Sequence, residues 1–349
     1  MENMTQTQIE AILEKQQAFF QTNSTKSISF RKQSLKKLLS AIEKHEKAIA
    51  DALWADLHKS YEEAYLTEIS IATSELRNHI RHVNCWAKPE RIMSPLALFP
   101  SQSKIISEPL GNALIIAPWN YPFQLLINPL IAAISAGCTA ILKPSPYVPQ
   151  TSLAFQKMIE ETFHKDYIAV VQGNRDTNSL LLEQKFDLIF FTGSPDLGKI
   201  VMKAAAKHLT PVVLELGGKS PCIVNNDANI ALAAKRIAWG KCLNAGQTCI
   251  APDYVLIQES VKETFIAAYQ TAIEELYGKS VQTSKHFVCM VSDKAYQRVK
   301  SYLSDGQVVV GGKFVDSERF IEPTLLDKVS PESPVMTNEI FGPIIPLIS

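Results

Sequence analysis

A cysteine and a glutamate are the side chains of this sequence whose types suggest covalent chemistry. Cys249 closes the run Gly246-Gln247-Thr248-Cys249, and Glu215 lies upstream of it. An ionised thiol is a good nucleophile and a carboxylate can activate water, so the two could form a covalent intermediate and then hydrolyse it. An isolated cysteine is more often a small buried packing residue. The surrounding motifs must therefore decide between the two roles.

Two polar residues stand where apolar runs end. Lys143 follows the run 139–142; at the end of a parallel strand it would reach the mouth of a nucleotide crevice, although many such lysines are merely solvated. Asn120 lies between Pro118 and Pro122, where an asparagine can cap a turn. A rigidly held amide is also a suitable donor to a developing oxyanion.

The segment 192–198 is predicted to join a strand to a helix. Its two glycines, Gly193 and Gly198, would let the backbone approach a phosphate, and the N–H groups at a helix start favour an anion. Many strand-to-helix turns carry glycine without binding a nucleotide. The tighter G-x-G-x-x-G fingerprint and a Walker lysine are both missing, which argues against phosphoryl transfer.

These residues need elements that hold them in place. Apolar side chains recur at three- and four-residue steps within residues 8–86, which predicts amphipathic helices. After Gly111, short apolar runs alternate with helix-length segments, as is typical of a parallel sheet covered by helices on both faces. Strands are predicted at residues 113–117, 139–142, 168–171, 188–191 and 212–214, and helices at residues 149–163 and 197–208.

A second α/β unit is predicted to begin near Asn229. It opens with a helix to about residue 243, followed by a strand at 254–258 and a helix at 262–277. Earlier in the chain, a strand is predicted at 104–107 beside a proline-containing connection. The last residues, 343–349, are apolar and predict a core strand, whereas chain termini are usually polar.

Composition limits the classes of function. A length of 349 residues favours two domains, and 35 basic against 35 acidic side chains favour a small ligand over nucleic acid. Six scattered cysteines without metal-ligand spacing predict reduced thiols, no metal and a cytoplasmic location. The uncharged segment 109–142 is broken by proline and glycine, so a buried core rather than a membrane segment is expected. The N-terminus shows no secretory signal.

Six motifs, taken in order, resemble those of the aldehyde dehydrogenase superfamily. The resemblance covers the chain from about residue 10 to its end, and the N-terminal region is most similar to the class 3 branch, which acts on fatty and aromatic aldehydes. The motifs are Pro118-Trp119-Asn120, Lys143-Pro144-Ser145, Phe191-Thr192-Gly193-Ser194, Glu215-Leu216-Gly217-Gly218-Lys219, Gly246-Gln247-Thr248-Cys249 and Glu339-Ile340-Phe341-Gly342-Pro343.

The resemblance implies a role for each motif. Cys249 would be the nucleophile, Asn120 an oxyanion donor together with the Cys249 backbone N–H, and Glu215 the general base. The residues that it assigns to the cofactor are Lys143 and Glu339 at ribose hydroxyls, Thr192, Gly193, Ser194 and Gly198 near the pyrophosphate, and Phe341 near the nicotinamide.

The resemblance also implies an architecture. A Rossmann-type, doubly wound parallel sheet would bind NAD(P) and be built from residues 1–88 and 109–211. Residues 89–108 would form an extended bridging or oligomerisation segment. Residues 212–349 would form a second α/β domain, the catalytic one.

The implied reaction is NAD(P)-dependent oxidation of an apolar aldehyde to a carboxylic acid. It would pass through a thiohemiacetal and a thioester on Cys249, and water activated by Glu215 would hydrolyse the thioester. An acylating dehydrogenase or a phosphate-ester reductase would pass the thioester to another acceptor, which a hydrolytic glutamate disfavours. A catalytically impaired homologue that only binds a nucleotide is the alternative from another class.

Two departures from the family pattern affect these expectations. Many members have a glutamate at the adenosine ribose shortly after the Lys-Pro-Ser motif, whereas Pro146 follows Ser145 here, which leaves both NAD and NADP admissible. Six residues follow Pro343, so we expect a truncated chain or a fragment with an incomplete catalytic domain. The homodimer expected for the family depends on a strand from that C-terminal part.

Tyr121 is a candidate for the substrate tunnel or the core.

Overall fold

The computed structural model describes residues 3–349, which cluster into two compact units. The first unit contains the residues up to Ile49 together with Tyr65–Glu215. The second contains Ala50–Ala64 and Leu216–Ser349. Within residues 3–349, no helix has both the length and the apolar character needed to cross a membrane.

The N-terminal region is helical, as its apolar periodicity predicted. A reciprocal capping box between Thr5 and Gln8 starts the first helix. A π-helical turn, Tyr65–Ile69, lies between the third helix and the fourth. The four helices are α1 (Gln6–Gln21), α2 (Ile28–Leu57), α3 (Tyr61–Ala64) and α4 (Ser70–Trp86).

A short antiparallel hairpin follows, formed by β1 (Glu90–Ile92) and β2 (Ser103–Ile105). The strand predicted at 104–107 is therefore found slightly earlier in the chain. Ile105 pairs with Glu90, and the residue before Glu90 is Pro89, which has no N–H to extend the ladder. Pairing consequently ends at Ile105.

The first unit contains a parallel sheet of five strands in the order β5-β4-β3-β6-β7. The apolar runs of the sequence predicted each strand to within one or two residues. β3 and β4 are buried along their whole length, as expected for strands covered on both faces. The strands are β3 (Asn112–Ile116), β4 (Thr139–Lys143), β5 (Ile168–Val170), β6 (Leu188–Thr192) and β7 (Val212–Glu215), and the helices are α5 (Gln124–Ala136), α6 (Pro149–Thr162), α7 (Arg175–Glu183) and α8 (Pro195–Ala206).

The second unit contains another five-stranded sheet, in the order β10-β13-β14-β9-β8, in which β10 alone runs antiparallel to its neighbour. The helix predicted at 262–277 is found with those bounds. The elements are β8 (Ser220–Val224), α9 (Ile230–Cys242), β9 (Pro252–Ile257), α10 (Lys262–Tyr277), α11 (Asp293–Ser301), β10 (Gln307–Val310), β11 (Phe314–Val315), β12 (Phe320–Ile321), β13 (Thr324–Asp327), α12 (Pro334–Thr337) and β14 (Ile344–Ile348).

The apolar C-terminal run forms β14, the central strand of this second sheet. It pairs in parallel with β13 on one side and with β9 on the other. Ile344 and Ile345 are fully buried. The prediction of a core strand at the end of the sequence is therefore confirmed, and so is the α/β fold class.

Candidate active site

The carboxyl ends of the first sheet gather several of the predicted site residues along one edge. Lys143 is the last residue of β4, Thr192 of β6 and Glu215 of β7, and all these strands are parallel. Asn120 lies in the loop after β3, the strand between β4 and β6. The strand order reverses around β3, and ligands of doubly wound sheets bind at such a switch point.

Lys143 is buried at the end of its strand, with 1% of its surface exposed. Its Nζ donates a hydrogen bond to the Pro144 carbonyl oxygen at 2.7 Å. Burial lowers the pKa of Lys143 to about 8, because desolvation disfavours the charged ammonium. A buried ammonium of this kind is a suitable donor to sugar hydroxyls at the strand edge.

The turn from β6 into α8 contains a buried threonine hydroxyl and a capped helix start. The Thr192 Oγ1 atom is buried and has no hydrogen-bond partner within the described part of the chain. Ser194 caps α8, its Oγ accepting from the Leu197 N–H at 3.5 Å. A polar ligand at this turn would satisfy the threonine hydroxyl, so the turn fits a nucleotide.

Gly193 acts in this turn through packing. Its N–H donates to the Glu215 carbonyl oxygen at 3.0 Å, which extends the β6–β7 ladder and commits this donor to the sheet. A Cβ at this position would lie 2.5 Å from the Phe191 ring. Gly198 is buried within α8 and donates its N–H to Ser194 at 2.9 Å.

The Asn120 loop ends at a helix start that is held by a glutamate from the π-helical turn. Glu68 is fully buried, and its Oε2 accepts from the N–H groups of Phe123 at 2.8 Å and Gln124 at 3.2 Å. A carboxylate at a helix N-terminus is favoured by the unpaired N–H groups and the helix dipole. Asn120 itself is 3% exposed, and Tyr121 is buried as well. Glu215, in contrast, is exposed at the end of its edge strand.

The second unit contains the nucleophile candidate and the last two motif residues. Cys249 is partly exposed, and no cysteine forms a disulfide within residues 3–349. The Cys249 carbonyl oxygen packs against Gly218, where an added Cβ would lie 3.1 Å away. Glu339 also contacts the pair Gly217-Gly218, and its Oε1 accepts from the Gly218 N–H at 3.1 Å. A side chain at Gly217 would overlap the Glu339 carboxylate.

Burial raises the pKa of Glu339, while the hydrogen bond from Gly218 acts in the opposite direction. Phe341, two residues later, is partly exposed and has a left-handed backbone with φ of 48°. Non-glycine residues rarely adopt this conformation, and such strain concentrates at functional sites. The structure thus brings Cys249 and Glu339 together around Gly217-Gly218, a contact that explains both glycines of that motif.

An ion pair that the sequence did not reveal holds the segment before Phe341. Lys219 donates to the Asp253 carboxylate, to the Val335 carbonyl oxygen at 2.9 Å and to that of Asn338 at 3.0 Å. Asp253, 4% exposed, accepts in turn from the Ile340 N–H at 3.0 Å. Nothing in the sequence linked these positions, because Lys219 and Asp253 lie 34 positions apart along the chain.

The predicted site residues therefore fall into two groups, one in each unit. Cys249, Glu339 and Phe341 belong to the second unit. The first unit holds Asn120, Lys143, Thr192, Gly193, Ser194, Gly198 and Glu215. In residues 3–349, no cluster of three or more histidine, cysteine or acidic side chains has the arrangement of a metal site.

Comparison with known proteins agrees with the motifs and the fold. The model of the aldehyde dehydrogenase family matches residues 1–349. A 4,4'-diaponeurosporen-aldehyde dehydrogenase of Staphylococcus aureus (strain NCTC 8325 / PS 47) is 48% identical over 334 residues, which are 95% of this chain and 73% of that protein. Aldehyde dehydrogenase family 3 member B3 of Mus musculus is 42% identical over 330 residues, 95% of this chain and 69% of that protein.

The fold has equally similar relatives among solved structures. A substrate-bound state of Staphylococcus aureus AldH superposes with a TM-score of 0.94 at 47% identity, covering 97% of this chain and 75% of that one. Sequence motifs, fold and relatives thus agree, and the chain belongs to the aldehyde dehydrogenase family.

Proposed function

We propose that this protein oxidises apolar aldehydes to carboxylic acids with NAD or NADP. The observation that carries the proposal is the packing of Gly218 against both Cys249 and Glu339. It supports a site in which the backbone of the partly exposed Cys249 and the Glu339 carboxylate meet at one glycine. Membership of the aldehyde dehydrogenase family supports aldehyde oxidation as the reaction class.

Attack by the Cys249 thiolate on the aldehyde carbon forms a C–S bond and turns the carbonyl oxygen into an oxyanion. The Asn120 side-chain amide and the Cys249 backbone N–H are the donors proposed for that oxyanion. Fixed donors aimed at a developing charge stabilise the transition state because they need no reorganisation. The hydrogen bond that the Phe123 N–H donates to Glu68, at the helix start after Asn120, supports a rigid placement of this amide.

The residues at the strand ends fit a dinucleotide. Bound NAD or NADP would supply a hydride acceptor, and loss of a hydride would bring the thiohemiacetal carbon to the thioester oxidation level. Lys143 and Glu339 would hold ribose hydroxyls, and Phe341 would pack at the nicotinamide. Thr192, Ser194 and Gly198 would lie near the pyrophosphate, with Gly193 shaping the turn. The unpartnered Thr192 hydroxyl supports this assignment.

Hydrolysis of the thioester completes the reaction. Glu215 takes a proton from water, the resulting hydroxide adds to the thioester carbon, and the C–S bond breaks to release the acid and the Cys249 thiolate. The exposed position of Glu215 supports this role, because the base must reach solvent water.

The first experiment mixes the protein with NAD and a medium-chain aldehyde and follows the absorbance of reduced cofactor. The relative from Staphylococcus aureus is named for 4,4'-diaponeurosporen-aldehyde, which makes that aldehyde a second substrate to test. We expect reduced cofactor with both NAD and NADP, free acid as the product, and complete loss in Cys249→Ser. Folded protein that binds NAD but yields no reduced cofactor would favour the nucleotide-binding alternative.

A further inference from the structure

The backbone just before Cys249 adopts an unusual conformation. Asn244, Ala245 and Gly246 all have left-handed backbones, with φ of 51°, 50° and 72°. Glycine adopts this conformation without penalty and asparagine tolerates it, whereas an alanine pays roughly 1–2 kcal/mol. Such a run persists only where surrounding contacts hold it.

A buried carboxylate holds the start of this turn. Helix α9 ends at Cys242, and the Asn244 N–H, instead of continuing the helix, donates to Glu63 Oε1 at 2.7 Å. Glu63 lies on α3, belongs to the same unit and is 8% exposed. Hydrogen bonds to a charged acceptor are about twice as strong as neutral ones. This contact therefore favours the left-handed turn over a further helical turn.

Gln247 holds the end of the same turn. Its side chain is fully buried and donates to the carbonyl oxygens of Asn244 at 3.0 Å and Cys289 at 3.2 Å, while its Oε1 accepts from the Val291 N–H at 3.0 Å. A side chain at Gly246 would collide with the Gly342 carbonyl oxygen, so the turn also packs against the Gly342 backbone. Cys249 follows two residues after this anchored point.

We propose that Glu63 is a positioning residue for Cys249, acting through the left-handed turn Asn244–Gly246. The effect on catalysis rests on the proposed function. Loss of the carboxylate releases the Asn244 N–H. Asn244 and Ala245 then favour right-handed conformations. The thiol consequently spends less time in its productive orientation.

The test compares Glu63→Ala and Glu63→Gln with the neighbouring exposed control Glu62→Gln. Site-resolved mass spectrometry measures the rate of iodoacetamide alkylation at Cys249 across pH 6–9, with exposed Cys85 as the internal reference. We expect Glu63→Ala to change the Cys249 rate and to lower kcat by about tenfold, as loss of a charged hydrogen bond predicts. Glu63→Gln, which keeps an acceptor oxygen, should fall between Glu63→Ala and wild type. Alkylation at Cys85 and the Kd for NAD should change less than about twofold, because neither depends on this bond.

A rescue variant separates positioning from general stability. Ala245→Gly removes the penalty of one left-handed residue, so in the Glu63→Ala background it should restore kcat and the Cys249 alkylation rate towards wild type. Wild-type alkylation and kcat in folded Glu63→Ala would overturn the proposal, as would failure of Ala245→Gly to rescue. If Glu63→Ala does not fold, Glu63→Gln with and without Ala245→Gly gives the same comparison. A wild-type protein that makes no NADH refutes the proposed function, while the alkylation rates still decide the role of Glu63.

Discussion

Lys143 shows how burial prepares a single side chain for a ligand. The residue ends β4 with 1% exposure, and desolvation lowers its pKa to about 8. The sequence could predict its place at the strand end, because the apolar run 139–142 identified the strand. It could not predict the burial, which depends on the neighbouring strands and on the loop that follows.

Binding of NAD should therefore weaken as pH rises through 8. Below that pH the free protein carries the ammonium that donates to ribose hydroxyls, whereas above it binding must first take up a proton. Between pH 7 and 9 we expect the Kd for NAD, measured by fluorescence titration, to rise about tenfold. Lys143→Arg stays charged and should remove this rise. Lys241 is also buried with a pKa of about 8, and this variant leaves it unchanged. A rise that persists in Lys143→Arg would assign the effect to another group.

The same burial should cost stability when no ligand is bound. The pKa of Lys143 is lower in the folded state than the ordinary value of 10.5, so its contribution to stability increases as pH rises from about 8 to 10.5. At pH 7, Lys143→Met should raise the free energy of unfolding by about 3 kcal/mol, measured by urea denaturation. The gain should shrink near pH 10.5, and an equal effect at both pH values would contradict the desolvation argument.

At the scale of elements, the site depends on contacts between segments that are distant in sequence. The parallel strands were predictable because each consists of a short apolar run bounded by turn residues. The π-helical turn Tyr65–Ile69 was not, because its residues are typical of an ordinary α-helix. The contacts of Glu68 on that turn and of Lys219 with Asp253 were missed because an acidic or basic residue in a sequence does not reveal its partner.

Removal of the Glu68 carboxylate should loosen the start of α5 and the Asn120 loop before it. We expect Glu68→Ala to lower kcat about tenfold with little change in the Kd for NAD, since two backbone N–H groups lose a charged acceptor. The exposed Glu43, which makes a surface ion pair with Arg77, supplies the control Glu43→Ala. If Glu68 acts through Asn120, the double variant with Asn120→Ala should be no slower than Asn120→Ala alone. Fully additive losses would contradict that route.

At the scale of the whole molecule, the last strand of the chain is the centre of a sheet. β14 pairs on both sides, so the second unit depends on the residues that follow the Phe341-Gly342 turn. The apolar character of residues 343–349 predicted a strand, but a sequence cannot state which strands it joins. Strand order in this unit follows from pairing between β9 and β14, segments separated by most of the unit.

A cavity beside β14 should therefore lower the free energy of unfolding. Ile345 is fully buried, and Ile345→Ala should lower the free energy of unfolding by about 2–5 kcal/mol, as measured by urea denaturation. The matched control is Ile348→Ala in the same strand, where partial exposure predicts a smaller loss. Equal losses at the two positions would contradict the central placement of Ile345.

Covalent trapping of the thioester would show directly whether Cys249 is the nucleophile. In Glu215→Gln the base is absent, so thioester formation should continue while hydrolysis slows. Mass spectrometry after mixing with NAD and an aldehyde should find Cys249 heavier by the aldehyde less two hydrogens, one lost as hydride and one as the thiol proton. Equimolar NADH should accompany this adduct, and Cys249→Ser should show neither. NADH formed without an adduct on Cys249, or an adduct on another cysteine, would contradict the role of Cys249 as the nucleophile.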